Sequence, residues 1–331
     1  MSLPQALDRH LRELLESGRV NSVLGAVPTR GLLGMAQLAR TPEQMDSFSL
    51  SPLACPNLLV HLTSEEARLD AARFPVAVLV RGCETRMLNQ ILSEGGLRRD
   101  RVYVVGLAHC PGAIDPRRLA AQLPELTGFP EVVIDGEAVI VTDDTGEPAR
   151  LERNGVVLER CRHCQTHEPL TCDHRFCLIE DGAWVAPVSA GQDSGVEAIE
   201  AMAPAERWTY WRSQLERCMR CHACRDACPL CYCENCILER LQPCWVKRSV
   251  DLPENTAYQL LRVMHLVGRC TACGECERAC PVDLPLGLMM RKMEAVVGDL
   301  YGHRSGLDAE GEHLLSIFDP RDADAHFAPE R

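Results

Sequence analysis

Residues 218–236 read CMRCHACRDACPLCYCENC, seven cysteines in nineteen positions. Sulfur at that density serves a disulfide framework, a zinc site or a carrier of electrons, and the spacing separates these. Cys218, Cys221, Cys224 and Cys228 followed by Pro229 form C-x2-C-x2-C-x3-C-P. The same run returns as Cys270, Cys273, Cys276 and Cys280 followed by Pro281.

Bacterial ferredoxins hold cubane 4Fe–4S clusters with this run. Three thiolates separated by two residues curl around one cube. The turn that the proline helps to set carries the fourth cysteine towards a second cube. A pair of runs therefore predicts exchanged fourth ligands: Cys218, Cys221, Cys224 and Cys280 for one cluster, Cys270, Cys273, Cys276 and Cys228 for the other. Two zinc sites are the bland alternative, but zinc modules draw on two separate C-x2-4-C pairs. Cys224, Cys228 and Cys231 also match the C-x3-C-x2-C triad of radical S-adenosylmethionine enzymes. That triad lies inside a complete, repeated ferredoxin run, and too little chain follows it for the barrel such enzymes use.

Working outward, Cys231, Cys233, Cys236 and Cys244 remain downstream, and Cys161, Cys164, Cys172 and Cys177 lie upstream. One C-x2-C pair from each region, Cys161/Cys164 with Cys233/Cys236, would make a four-thiolate site. Either a third 4Fe–4S cluster or zinc suits that spacing, and buried free thiols are the plain alternative. His163, His167, His174 and His222 read as neighbours of the cysteines, not as ligands.

The whole chain constrains these readings. Of 331 residues, 46% are hydrophobic and 25% charged, which suits a soluble globular protein of two domains. A formal charge of −12 without a long Lys/Arg block argues against nucleic-acid binding. The most apolar runs, such as VAVLV at 76–80, are too short to cross a bilayer. The opening residues space Leu7, Leu11, Leu14 and Leu15 along one face between charges, an amphipathic helix without the features of a signal peptide. The expected location is cytoplasmic. A reducing compartment and an odd count of 19 cysteines both disfavour a disulfide framework.

Only Cys55, Cys83 and Cys110 precede residue 160, and that asymmetry marks the domains. Before it, β-rich runs (20–28, 57–63, 74–83 and 101–110) alternate with helical patterns such as GLLGMAQLAR at 31–40 and TRMLNQILSEG at 85–95. This predicts an α/β domain with a mostly parallel sheet over 1–150, closed by a hairpin at 131–144 with Asp-Gly at its turn. A cysteine-containing connector (151–204), an α+β two-cluster ferredoxin-like domain (205–300) and a polar tail (301–331) complete the expectation. Cys83 and Cys110 each follow a predicted strand, where α/β domains collect ligands, so Gly82-Cys83-Glu84 and Cys110-Pro111-Gly112 are candidate lining of a cofactor pocket. A buried strand-end cysteine is the plain alternative for each. Neither a G-x-G-x-x-G fingerprint after the first strand nor a P-loop is present.

Five blocks in this order resemble the beta subunits of deazaflavin-dependent formate dehydrogenases and hydrogenases: VAVLVRGCETRMLNQIL, RVYVVGLAHCPGAID, LERCRHCQTHEPL, RWTYWRSQLERCMRCHACRDACPLCYCENC and LLRVMHLVGRCTACGECERACPVDLPL. The resemblance implies a flavin-binding α/β domain, holding flavin adenine dinucleotide (FAD), that feeds a chain of clusters. It places Arg81, Gly82, Cys83 and Glu84 in the family's cofactor motif. It also implies a catalytic partner: a pterin formate dehydrogenase, a hydrogenase or a heterodisulfide-reductase-like module. RGCETR lacks the proline that many relatives carry before the cysteine, and Cys172 and Cys177 are additional. The reading is an iron–sulfur, flavin-containing electron-transfer subunit of an anaerobic oxidoreductase complex. Two other classes compete: a flavin-free cluster-bearing adaptor joining two enzymes, and a stand-alone iron–sulfur flavoprotein reductase.

Overall fold

The computed structural model describes residues 3–29, 32–53, 55–63, 75–126, 128–144, 146–179, 194–233, 235–310 and 313–314. Packing divides the chain into two units, Met1–Thr85 with Leu97–Gly191, and Arg86–Gly96 with Gln192–Arg331. In this division the segment 151–191 groups with the α/β part.

The first unit opens with helix α1 (Gln5–Glu16), whose Leu7, Leu11 and Leu14 are buried as the spacing predicts. Strand β1 (Ser22–Pro28) follows and turns back into β2 (Gly34–Ala39). The helix expected over 31–40 is thus a strand in its described part. β2 pairs antiparallel with β1 from Val23↔Ala39 to Pro28↔Gly34, and this ladder overrides the helical propensity of Leu, Met, Ala and Gln. The run 57–63 reverses the other way and forms a short helix α2 (Leu59–Leu62), started by the Asn57 side chain accepting the Leu59 N–H at 3.1 Å. Its continuous apolar run has no alternation that would distinguish strand from helix.

β3 (Val76–Arg81) is buried on both faces, and its β-branched residues suit the centre of a sheet. Helix α3 (Gly82–Ser93) leads on to β4 (Val102–Ala108). With β8 (His174–Cys177) these build a five-stranded sheet of order β2-β1-β3-β4-β8, parallel except at β2. Between β4 and β8 lie helix α4 (Pro116–Gln122), strands β5 (Glu131–Asp135), β6 (Ala138–Thr142) and β7 (Pro148–Glu152), and short helices α5 (Arg153–Val156) and α6 (Glu159–Arg162). β5 and β6 form the expected hairpin, with Asp135↔Ala138 flanking the turn and Gly136 at φ 56°. β7 adds a third strand to it. Leu119, Val132, Val139, Val141 and Val156 form the core beneath this small sheet.

The second unit contains α7 (Ser194–Glu200), α8 (Pro204–Glu216), α9 (Ala223–Asp226), α10 (Leu252–Leu266), α11 (Glu275–Arg278) and α12 (Leu286–Tyr301). Among its described residues it holds no strand, so the α+β expectation for 205–300 is corrected to helical. The reason is local: the cysteine runs coil through left-handed residues, and the chain between them passes through loops and the short turn Ile237–Glu239 into helix α10. Asp251 caps α10 by accepting the Glu254 N–H at 3.0 Å. Arg269, next to the second run, forms a half-buried ion pair with Glu94 at 2.5 Å and donates to the Leu230 carbonyl at 3.3 Å. No helix among the described residues is long and apolar enough to cross a membrane.

Candidate metal centres

All nineteen cysteines lie among the described residues, and no disulfide joins any of them. In the second unit the eight ferredoxin-type cysteines line two cavities. Cys218, Cys221, Cys224 and Cys280 line one, together with Tyr258 and Gln259. Cys228, Cys270, Cys273 and Cys276 line the other, together with Arg262 and Arg291. Each cavity thus takes three cysteines from one run and the fourth from the other. Their unfilled volumes, open mouths included, are about 310 and 370 Å³. Cys224 and Cys228 line different cavities, so the C-x3-C-x2-C triad does not gather at one place.

The two runs share a backbone trace. The residues flanking the second cysteine are left-handed in both: Arg220 (φ 50°) and His222 (φ 64°), then Ala272 (φ 54°) and Gly274 (φ 72°). Alternating right- and left-handed residues turn successive N–H groups into one concavity, which receives an anion. Three of these four residues carry a Cβ, and each costs about 1–2 kcal/mol there. Such strain persists only where the surroundings enforce it. Backbone N–H groups also reach sulfur: Ala272 donates to Cys270 Sγ and Leu284 to Cys280 Sγ, each at 3.4 Å.

Helix α10 lies against both cavities with a polar inner face. Asn255 donates to the carbonyls of Leu215 (3.1 Å) and Cys218 (2.8 Å). Gln259 donates to Cys218 Sγ at 3.5 Å. Arg262, only 2% exposed, donates Nη2 to the Cys224 carbonyl at 2.8 Å, while its Nε and Nη1 are buried without a hydrogen-bond partner among the described residues. Orphaned buried guanidinium N–H groups are costly, and they suit a cavity that receives negative charge.

The first unit carries a third sulfur-lined cavity, at the carboxyl ends of β3 and β4. Cys83, Cys110, Cys161 and Cys164 line it with Arg81, Gly82, Arg160 and His167, around about 390 Å³ of unfilled space. Gly82 is required: a Cβ there would strike the backbone of Thr166, His167 and Glu168. That close approach brings the 161–168 segment onto the strand ends. Glu168 fastens it by accepting the His109 N–H at 3.0 Å, and the Leu170 N–H reaches Thr85 Oγ1 at 3.0 Å. Ala113 donates its N–H to Cys161 Sγ at 3.3 Å. Glu84 turns inward and accepts the Arg81 N–H at 2.7 Å. Cys55 is buried next to Ala113 and Cys161, its thiol donating to the Pro52 carbonyl at 3.1 Å.

The thiols do not all respond alike. Burial pushes Cys83 and Cys273 well above the ordinary range, Cys164 and Cys276 to about 11, and Cys224 upward, whereas the hydrogen bond from Cys231 lowers Cys228 to about 6. Such thiols become thiolates when positive charge enters the cavity. Among the described residues, no group of three His, Cys, Asp or Glu is placed to hold a metal ion.

Cys161 and Cys164 were expected with Cys233 and Cys236. They share their cavity with Cys83 and Cys110, whereas Cys233 (exposed) and Cys236 (partly buried) belong to the second unit. Arg160, Arg262 and Gln259 were missed from the sequence. Arg160 adjoins a C-x2-C pair, whereas Arg262 and Gln259 lie on the buried, largely polar face of α10 with Asn255 and Tyr258, while Leu260, Leu261 and Met264 are exposed, so the apolar pattern pointed the other way. Cys177 accepts from Arg175 at 2.9 Å, Cys231 hydrogen-bonds Cys228, and His222 lies 3.0 Å from Glu239.

No family model matches the chain. It is 26% identical over 297 residues to the F420-dependent formate dehydrogenase subunit beta of Methanocaldococcus jannaschii, covering 73% of this chain and 76% of that one. It is 24% identical over 299 residues to the F420-dependent formate dehydrogenase 1 subunit beta of Methanococcus maripaludis, covering 72% and 75%. The resemblance carried by the five sequence blocks is therefore matched by relatives of that name. Among solved structures, a chain from the F420-reducing NiFe hydrogenase complex of Methanosarcina barkeri aligns with a TM-score of 0.37 at 15% identity, over 49% of this chain and 59% of that one. That score is too low to carry weight.

Proposed function

We propose that this chain is an iron–sulfur electron-transfer subunit of an oxidoreductase complex of formate dehydrogenase, hydrogenase or heterodisulfide-reductase type, working in the cytoplasm beside a catalytic subunit. The observation that carries the reading is the exchange of fourth cysteines between two four-sulfur cavities. A 4Fe–4S core suits each cavity in its four soft donors, its inward N–H groups and the unpartnered Arg262 N–H groups nearby. Cys218, Cys221, Cys224 and Cys280 hold one core; Cys270, Cys273, Cys276 and Cys228 hold the other. When bound, these groups supply one-electron uptake and release. The chain gathers their cysteines, orients hydrogen bonds to their sulfurs and sets the charge around them.

Cys83, Cys110, Cys161 and Cys164 hold a third cluster in this reading, with Arg81 and Arg160 as its cationic lining. The resemblance also assigns FAD to the first unit. FAD does not suit the strand-end cavity, which is walled by four thiols and two guanidinium groups, so no step is routed through it. The second reading is a flavin-free adaptor between two redox enzymes, in which this cavity serves a cluster alone. A flavin spectrum that survives desalting eliminates the adaptor.

The deciding experiment is anaerobic purification of the tagged chain from its native host, with mass spectrometry of what accompanies it. A pterin dehydrogenase, hydrogenase or heterodisulfide-reductase-like subunit at fixed stoichiometry is the expected result. A chain that emerges alone, loaded with iron and flavin and reducing a soluble acceptor, overturns the relay in favour of a stand-alone reductase.

A further inference from the structure

Arg262 is the most deeply buried cation of the second unit's sulfur region, and nothing in the ligand chemistry requires it. It lines the Cys270 cavity, and its Nη2 donates to the carbonyl of Cys224, a lining residue of the other cavity, at 2.8 Å. One guanidinium therefore adjoins both four-cysteine sites. One turn earlier on α10, Gln259 lines only the Cys218 cavity and donates to Cys218 Sγ at 3.5 Å. The other ions nearby are compensated or wetter. Glu275 is buried, but Arg278 pairs with it at 2.5 Å. Arg291 lines the Cys270 cavity from a half-buried position, where solvent screens it more.

We infer that Arg262 is a potential-setting residue shared by the two four-cysteine sites, raising the reduction potential of both, and that Gln259 adds to this at the Cys218 site alone. The inference rests on the iron–sulfur reading above. Reduction delivers one electron to a site; no bond forms or breaks, no proton need move, and the site gains one unit of negative charge. A buried, permanently charged guanidinium stabilises that form over the oxidised one, and a poorly solvated interior strengthens the effect. The guanidinium also reaches the Cys276 thiol, and its Nε and Nη1 are buried without a well-formed hydrogen bond among the described residues. A hydrogen bond to a ligand sulfur acts in the same direction but more weakly. Arg262 is thus a positioning residue for charge, not a ligand.

The test is a potentiometric titration of the anaerobically purified full chain, with dithionite as electron donor and electron paramagnetic resonance as readout. Signals are assigned to each site with Cys221→Ala and Cys273→Ala chains. Arg262→Met should move both midpoints to more negative values by at least a tenfold change in the reduction equilibrium, about 59 mV for a one-electron couple. Arg262→Lys, which keeps the charge, should move them less. Gln259→Leu should move only the Cys218 site, by less than Arg262→Met does. Full iron with unmoved midpoints in Arg262→Met overturns the inference, and so does a shift confined to one site. If Arg262→Met loses its iron, Arg262→Gln takes its place under the same criteria. A Gln259→Leu chain with an unmoved Cys218 site overturns the Gln259 part. A parent chain without two reducible sites overturns the iron–sulfur reading itself, which is a different failure.

Discussion

The two units gather sulfur in opposite ways. In the second, six of the eight cysteines that line the paired cavities arrive three at a time from short runs, and exchanging one residue completes each set. In the first, Cys83, Cys110 and the Cys161/Cys164 pair come from three distant points in the chain, gathered by two strand ends and one returning segment. Local spacing builds one kind of site and topology builds the other. The first kind should survive damage to its scaffold better than the second.

The largest effect should come from breaking the exchange. Cys228→Ala should empty the Cys270 cavity and leave the three cysteines of its own run loaded, removing about four irons per chain. Iron analysis with magnetic resonance of the remaining signal decides this. Loss of the Cys218 signal instead would mean that each run closes on itself.

The strand-end site sharpens the contrast. Cys110→Ala should lower iron by about four per chain, whereas Cys233→Ala should leave it unchanged. The reverse pattern would return Cys161 and Cys164 to a site shared with Cys233 and Cys236. Gly82→Ala should disturb the same cavity without touching a ligand, because its methyl group meets the backbone at Thr166–Glu168. Overpacking of this kind costs about 1–3 kcal/mol, and the third site should lose its iron while the paired sites keep theirs.

Glu94→Gln probes the support of the paired sites. Removing the charge from one partner of this half-buried ion pair costs about 1–2 kcal/mol, so the second unit should unfold at a lower denaturant midpoint. The smallest effect is expected at the loops. Gly274→Ala, at φ 72°, should destabilise by about 1 kcal/mol, while Ala272→Gly, at φ 54°, should stabilise by a similar amount. Equal responses at both would mean that the left-handed trace is not enforced.

Much of the second unit was legible because its information is local. The spacing of Cys218–Cys228 and Cys270–Cys280 encodes both the loop and the exchange of the fourth cysteine between the two cavities, and proline after each run marks the turn. The buried strand 76–81, the hairpin at 135–138 and the leucine stripe of α1 were legible for the same reason, since periodicity and turn chemistry act over a few residues. The strand at 34–39 was not, because its residues prefer helix and only pairing with β1 holds them extended. The helix at 59–62 was hidden in an apolar run whose period is ambiguous.

By itself, the sequence determined that eight cysteines form two exchanged sets and that an α/β sheet precedes them, since both follow from spacing and pattern along the chain. Tertiary structure alone decided that Cys83 and Cys110 face Cys161 and Cys164, and that Arg262 adjoins both paired cavities. These depend on which strand ends lie side by side and which face of a helix turns inward. Contacts between residues far apart in sequence leave no period to read, and only the folded chain brings them within reach.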